Sequence, residues 1–144
     1  MPVVIHDASL ARTAYLERMV SDFDSTLLAQ FYAGEWFNLK NPDRAIEGFE
    51  WECIPLLSAV FERYGDKHLY IEMKCEEPER RKELARAVVG LVREHKLGER
   101  LVVKSFEHDA LVEVKKLAPD IRTAALFGRS WPRQIGRASC RERV

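Results

Sequence analysis

Hydrophobic and polar positions alternate along this chain between short apolar runs and longer stretches with helical spacing. Val3 to Ile5, Leu69 to Met73, Leu101 to Val103 and Ile121 to Phe127 are apolar or β-branched runs of strand length. Between them lie amphipathic segments. The clearest begins at Pro78, a favourable first-turn residue, and sets Leu84, Val88, Leu91 and Val92 on one stripe before Gly98 offers a stop. A second starts near Glu107, aligns Ala110, Leu111, Val114 and Leu117, and ends before Pro119. A third, Pro55 to Tyr64, turns Leu56, Leu57, Val60 and Phe61 inward, and Asp24 or Ser25 caps a shorter helix carrying Leu27, Leu28 and Phe31. The irregular stretch from Gly34 to Glu52 reads as a long loop. Strands that alternate with helices predict parallel strands joined by right-handed crossovers. The expected fold class is therefore α/β, a partial TIM barrel of about four parallel strands with intervening helices, since a full barrel takes about 250 residues and eight strands.

Composition narrows this little. With 47% hydrophobic and 32% charged residues the chain has a globular make-up, and its formal net charge of zero offers no basic surface for nucleic acid. No run of about 18 apolar residues predicts a membrane span, and no leader is visible, so a cytoplasmic location is expected. Cys53, Cys75 and Cys140 are odd in number and irregular in spacing, which suits reduced thiols. From Ile135 to Val144 the apolar periodicity stops, and those residues resemble one translated frame of a sequencing adapter. The expected organisation is residues 1–128 as the partial barrel and residues 129–144 as a non-native or disordered tail. The sequence leaves the oligomeric state open.

Chemistry-bearing residues fall at strand ends. In Leu69 to Lys74, alternation puts Leu69, Ile71 and Met73 on one face and Tyr70, Glu72 and Lys74 on the other. An acid and a base on one face of a covered strand call for explanation: they either pair structurally, or they form part of a site where a carboxylate meets a cation and an ammonium meets phosphate. The first strand ends in His6 and Asp7, again titratable groups at a strand's C-terminal end. Ser105 occupies a third such position, to bond a ligand or to cap the following helix.

In order and spacing, these segments resemble the glycerophosphodiester phosphodiesterase family. Pro2 to Asp7 with Leu10, Arg12 and Thr13 resembles its VVxHDxxLxRTT segment, Ala33 to Phe37 its AGxWF, Ile54 to Leu56 its IPTL and Leu69 to Lys74 its xIEIK strand. Leu101 to Phe106, then Leu117 to Arg122 with Leu126 and Phe127, resemble VVVSSF and LxPDIRTALLF. The resemblance implies an eight-stranded barrel that hydrolyses glycerophosphodiesters to glycerol 3-phosphate and an alcohol. It implies His6 as one of two catalytic histidines, Glu72 as a ligand of a divalent metal (Mg or Ca) and Lys74 as an active-site cation. Asp7 and Arg12 become supports for the His6 loop, with a surface role equally open for Arg12.

The chain departs from that pattern in ways that matter. The family's first strand ending in His-Arg-Gly and its second strand supplying a Glu-x-Asp pair do not occur, nor does its Trp-containing last strand, and His68, His95 and His108 sit at no such strand end and read as solvated. Ala14 stands where a second threonine is usual, followed by Tyr15 to Arg18 instead of a glycine-containing turn. Because hard cations need several oxygen ligands, the chain by itself is expected to be inactive. An alternative of a different class is a non-catalytic α/β binding or regulatory domain, and a neighbouring one is a barrel phosphodiesterase acting on phospholipids.

Overall fold

The computed structural model describes residues 1–128, which form two compact units: one built from Met1–Lys67 with Gly90–Lys96, the other from His68–Val89 and Leu97 onward. The tail expected over residues 129–144, Cys140 included, lies outside the described residues. Cys53 and Cys75 are free thiols. No helix of the described residues is long and apolar enough to cross a membrane.

In the second unit β1 (Leu69–Glu72), β2 (Leu101–Ser105) and β3 (Arg122–Ala125) form a parallel sheet in that order. Between them in the chain run α5 (Pro78–Glu94), whose residues from Gly90 on belong to the first unit, and α6 (His108–Leu117). Strand, crossover helix and parallel strand repeat here as they do in an α/β barrel, and the chain builds part of one. β2 is the centre. Leu101, Val103 and Ser105 are buried while Val102 and Lys104 on its other face are half-buried, so α6, which contacts β2 and β3, covers the apolar side. α6 buries Ala110, Leu111 and Val114 as its spacing demands, but Leu117 at its end is exposed. α5 starts at Pro78 as expected and stops at Glu94, short of Gly98, because Lys96 takes the left-handed φ of 53° that a helix does not tolerate. Gly98 follows with φ 51°, a conformation glycine adopts without steric cost.

The first unit is irregular. It contains α1 (Ala11–Ala14), α2 (Ser25–Leu28), α3 (Glu35–Lys40) and α4 (Leu57–Tyr64) around a cluster of Leu10, Leu28 and Ile54, against which Val3, Ile5, Leu16, Phe23 and Phe31 pack. Asp24 is the cap of α2; its carboxylate accepts the N–H groups of Thr26 and Leu27 at 2.8 and 3.0 Å. Two expectations fail in this unit. Val3 to Ile5 is no strand of the parallel sheet: Val3 makes an isolated antiparallel bridge to Leu56, with Val4 N–H donating to the Pro55 carbonyl at 2.8 Å and Leu57 N–H to the Pro2 carbonyl at 3.0 Å. An apolar run satisfies its backbone wherever a partner lies, and here the partner is the entry to α4. The described sheet accordingly has three strands where four were expected. The stretch Gly34 to Glu52 is no open loop either, since it holds α3 and two 3-10 turns, Pro42–Arg44 and Phe49–Trp51. Asn38 pins it by donating to the Ile46 carbonyl at 2.9 Å and accepting the Ile46 N–H at 3.0 Å.

Candidate active site

His6 lies just beyond the Val3 bridge, on the approach to α1. Its Nδ1 stands 2.6 Å from one carboxylate oxygen of Asp7, and Arg12 Nε donates to the other at 2.6 Å. Those two bonds, that of Arg12 first and that of His6 second, hold the Asp7 carboxyl at about 2, below its ordinary 3.8. A carboxylate ionised across the working range only accepts, so the proton of a neutral His6 ring sits on Nδ1 and the lone pair on Nε2. The His6 side chain is 80% exposed, which leaves the ring at the surface for proton exchange. Arg12 does not act as a free surface cation: its guanidinium also lies over the indole of Trp36, 4.4 Å from the ring centroid. The structure thus joins His6, Asp7 and Arg12 into one run of contacts, all within the first unit.

A folded-state pKa below the ordinary value means that the Asp7 pairing stabilises the fold above about pH 4 and that this contribution is lost as pH falls through about 2. The expected result is a carboxyl titration of Asp7, followed by carbon-13 NMR, centred near the lower value and moved up toward the ordinary one in Arg12→Met. A wild-type midpoint at the ordinary value would remove Arg12 and His6 as its partners.

Glu72 and Lys74 are placed by the end of β1 in the second unit. Lys74 Nζ lies 3.8 Å from Glu72 Oε1, a loose ion pair with both side chains partly exposed. The register adds what periodicity did not. Glu72 is paired with Lys104, and Lys104 with Ala124, in adjacent strands. Paired residues of parallel strands share a face, so Tyr70, Glu72, Val102, Lys104, Arg122 and Ala124 belong to one side of the sheet. Lys104 and Arg122 were missed by sequence reasoning. The alternation within Leu101 to Ser105 holds the signal for Lys104, but only the register connects it to Glu72. An acid among three cations, Lys74, Lys104 and Arg122, makes this the electropositive side of the sheet.

Ser105 is on the opposite, buried side. Its hydroxyl donates to the Met73 carbonyl at 2.7 Å, is 3.0 Å from Glu107 Oε2, and accepts the Glu107 N–H at 3.1 Å. One hydroxyl proton faces two acceptors, and the group ties the exit of β1 to the end of β2. It does not cap α6, whose N-cap is Glu107 with no side-chain bond. Of the other histidines, His68 is exposed, but His95 and His108 are not solvated as expected. His95 meets the Phe61 ring edge-on at 5.8 Å, and His108 bonds the Leu126 carbonyl at 2.9 Å and meets the Phe127 ring edge-on at 5.0 Å.

Mg or Ca takes six or more oxygen ligands as a rule. Glu72 would supply one carboxylate, and among the described residues no group of three or more His, Cys, Asp or Glu side chains is placed to hold an ion. The described residues do not by themselves fit such a cation.

Comparison with known proteins agrees with the fold and the motifs. The glycerophosphoryl diester phosphodiesterase family matches over residues 1–139. A glycerophosphodiester phosphodiesterase of Caldanaerobacter subterraneus subsp. tengcongensis is 32% identical over 130 residues, 87% of this chain and 49% of its own. One from Bacillus subtilis is 28% identical over 131 residues, 87% of this chain and 44% of its own. The solved structure of an Oleispira antarctica phosphodiesterase in complex with its product sn-glycerol-3-phosphate superposes with a TM-score of 0.73 at 27% identity, covering 96% of this chain and 54% of that one. The chain spans about half the length of the curated relatives it matches.

Proposed function

Because the chain belongs to the glycerophosphoryl diester phosphodiesterase family, we propose that the protein hydrolyses glycerophosphodiesters to glycerol 3-phosphate and an alcohol. The observation that carries this reading is the His6 ring, paired through Nδ1 to an ionised Asp7 so that Nε2 holds the lone pair. In the reaction, a water oxygen bonds to phosphorus, the phosphorus–oxygen bond to the alcohol breaks, water loses a proton and the leaving oxygen gains one. A neutral His6 takes a proton at Nε2 and a protonated one gives it back, which makes the residue one of the proton-transfer groups. Lys74 would meet the charge on the phosphoryl oxygens. Glu72 would be one carboxylate ligand of the Mg or Ca that the family resemblance implies. No step is assigned to that cation, because the described residues do not complete its ligand set. For the same reason the 144-residue chain alone is expected to give no turnover.

The test replaces the matched half of the Bacillus subtilis relative with residues 1–128 of this chain. Release of glycerol 3-phosphate from glycerophosphocholine is then followed with Mg or Ca present. The hybrid is expected to release it and the isolated chain to release none. A folded hybrid that releases none, while the unaltered relative does, would sink the hydrolase reading.

A further inference from the structure

We propose that Trp36 is a positioning residue for His6, acting through the Arg12 guanidinium that its indole face holds against Asp7. The proposal rests on the reading of His6 as a proton-transfer group and extends it to a residue outside the strand-end motifs.

The need for such a residue follows from exposure. Arg12, Asp7 and His6 have side chains 42%, 26% and 80% exposed, and ion pairs at such sites are weak because two mobile side chains must be held in one geometry. A guanidinium stacked on an aromatic face loses that freedom before it meets the carboxylate. Trp36 itself is half-buried on α3 and has its own supports: it meets Phe37 edge-on at 6.2 Å, and Phe37 in turn packs on Phe49 at 5.8 Å. α1, which carries Arg12, contacts α3. From a rigid aromatic base, order passes to Arg12 through the stack, to Asp7 through the Nε bond of 2.6 Å, and to the His6 ring through the Nδ1 bond of 2.6 Å. What reaches His6 is the choice of nitrogen. With Asp7 fixed as an acceptor, Nδ1 bears the proton and Nε2 the lone pair. With Asp7 released, that preference for Nδ1–H weakens.

The experiment is nitrogen-15 NMR of the imidazole-labelled 144-residue chain in mildly alkaline buffer, with the His6 signals identified by their loss in His6→Gln. The wild type is expected to be mainly Nδ1–H. Trp36→Leu should lower the ratio of Nδ1–H to Nε2–H by about two- to fivefold, the range of an exposed cation–π contact, and Trp36→Phe should restore part of it. Arg12→Lys keeps the charge but loses the planar fork and should shift the ratio in the same direction, which keeps the test decisive if Trp36→Leu does not fold. An unchanged ratio in folded Trp36→Leu or folded Arg12→Lys, or a wild type that is mainly Nε2–H, overturns the proposal. The readout does not depend on turnover. A shifted ratio beside an inactive hybrid enzyme upholds the positioning and removes the hydrolase reading, and an active hybrid beside an unshifted ratio does the reverse.

Discussion

His6→Ala in the hybrid enzyme is expected to lower kcat by about 10²- to 10⁴-fold, the range for removing a positioned proton-transfer group. KM should change little, because the ring moves a proton in the transition state and is not the main holder of the substrate. Asp7→Asn is the informative companion. It keeps size and removes charge, so the imidazole stays but its preference for Nδ1–H weakens. Its loss should be smaller than that of His6→Ala and should come with a changed pH profile. Steady-state release of glycerol 3-phosphate across pH measures both. If His6→Ala stays within a few-fold of the parent, His6 is not in the chemistry, whatever the family.

Gly34→Ala should be the most damaging small substitution in the first unit. A Cβ at this position would lie 1.8 Å from the Phe49 carbonyl oxygen and 2.9 Å from its carbon, both backbone atoms that cannot turn aside. The backbone at Gly34, φ −98° and ψ −26°, is open to any residue, so the fault is one of space alone. Overpacking of this kind costs about 1–3 kcal/mol and occasionally more, and contact with rigid backbone points to the upper end. Gly90→Ala supplies the contrast. Gly90 lies inside α5 with nothing within 4 Å of its added Cβ, so alanine there should stabilise by about 0.5–1 kcal/mol. Urea unfolding of the two variants should move the midpoint in opposite directions. A neutral Gly34→Ala would mean that the Phe49 turn yields easily. A destabilised one should also disturb the His6 tautomer, since Trp36 belongs to the helix that Gly34 opens.

α2, α4, α5 and α6 and the three strands of the sheet were legible because each obeys a local rule. α4, α5 and α6 announce themselves by apolar stripes at helical spacing, and β1 and β2 by apolar runs of strand length. Val3 to Ile5 obeys the same rule and still does not join the sheet. Being a strand is settled by which backbone lies alongside, and there it is Pro55 and Leu56. α3 was hidden for a different cause: its six residues are too few for periodicity, and Asn38 secures the segment through bonds to Ile46 that no pattern foretells. The candidate residues of the two units divide in the same way. His6, Asp7, Glu72 and Lys74 were visible as titratable groups at the ends of apolar runs. Trp36 and Lys104 were not, because their relevance is a contact and a register. Both exist only once separate segments have been brought together.

The parallel register of β1 and β2 also governs the order in which this sheet is made. An antiparallel pair zips from a tight turn, adding one short closure at a time, whereas Leu69 cannot meet Leu101 until the chain has travelled through α5 and back. The whole entropy of that crossover falls due before the first rung of the ladder forms. α5 takes up 17 residues of that crossover as a rod, which shortens the span the chain must close. The common face of Glu72 and Lys104 therefore exists only once that crossover has closed.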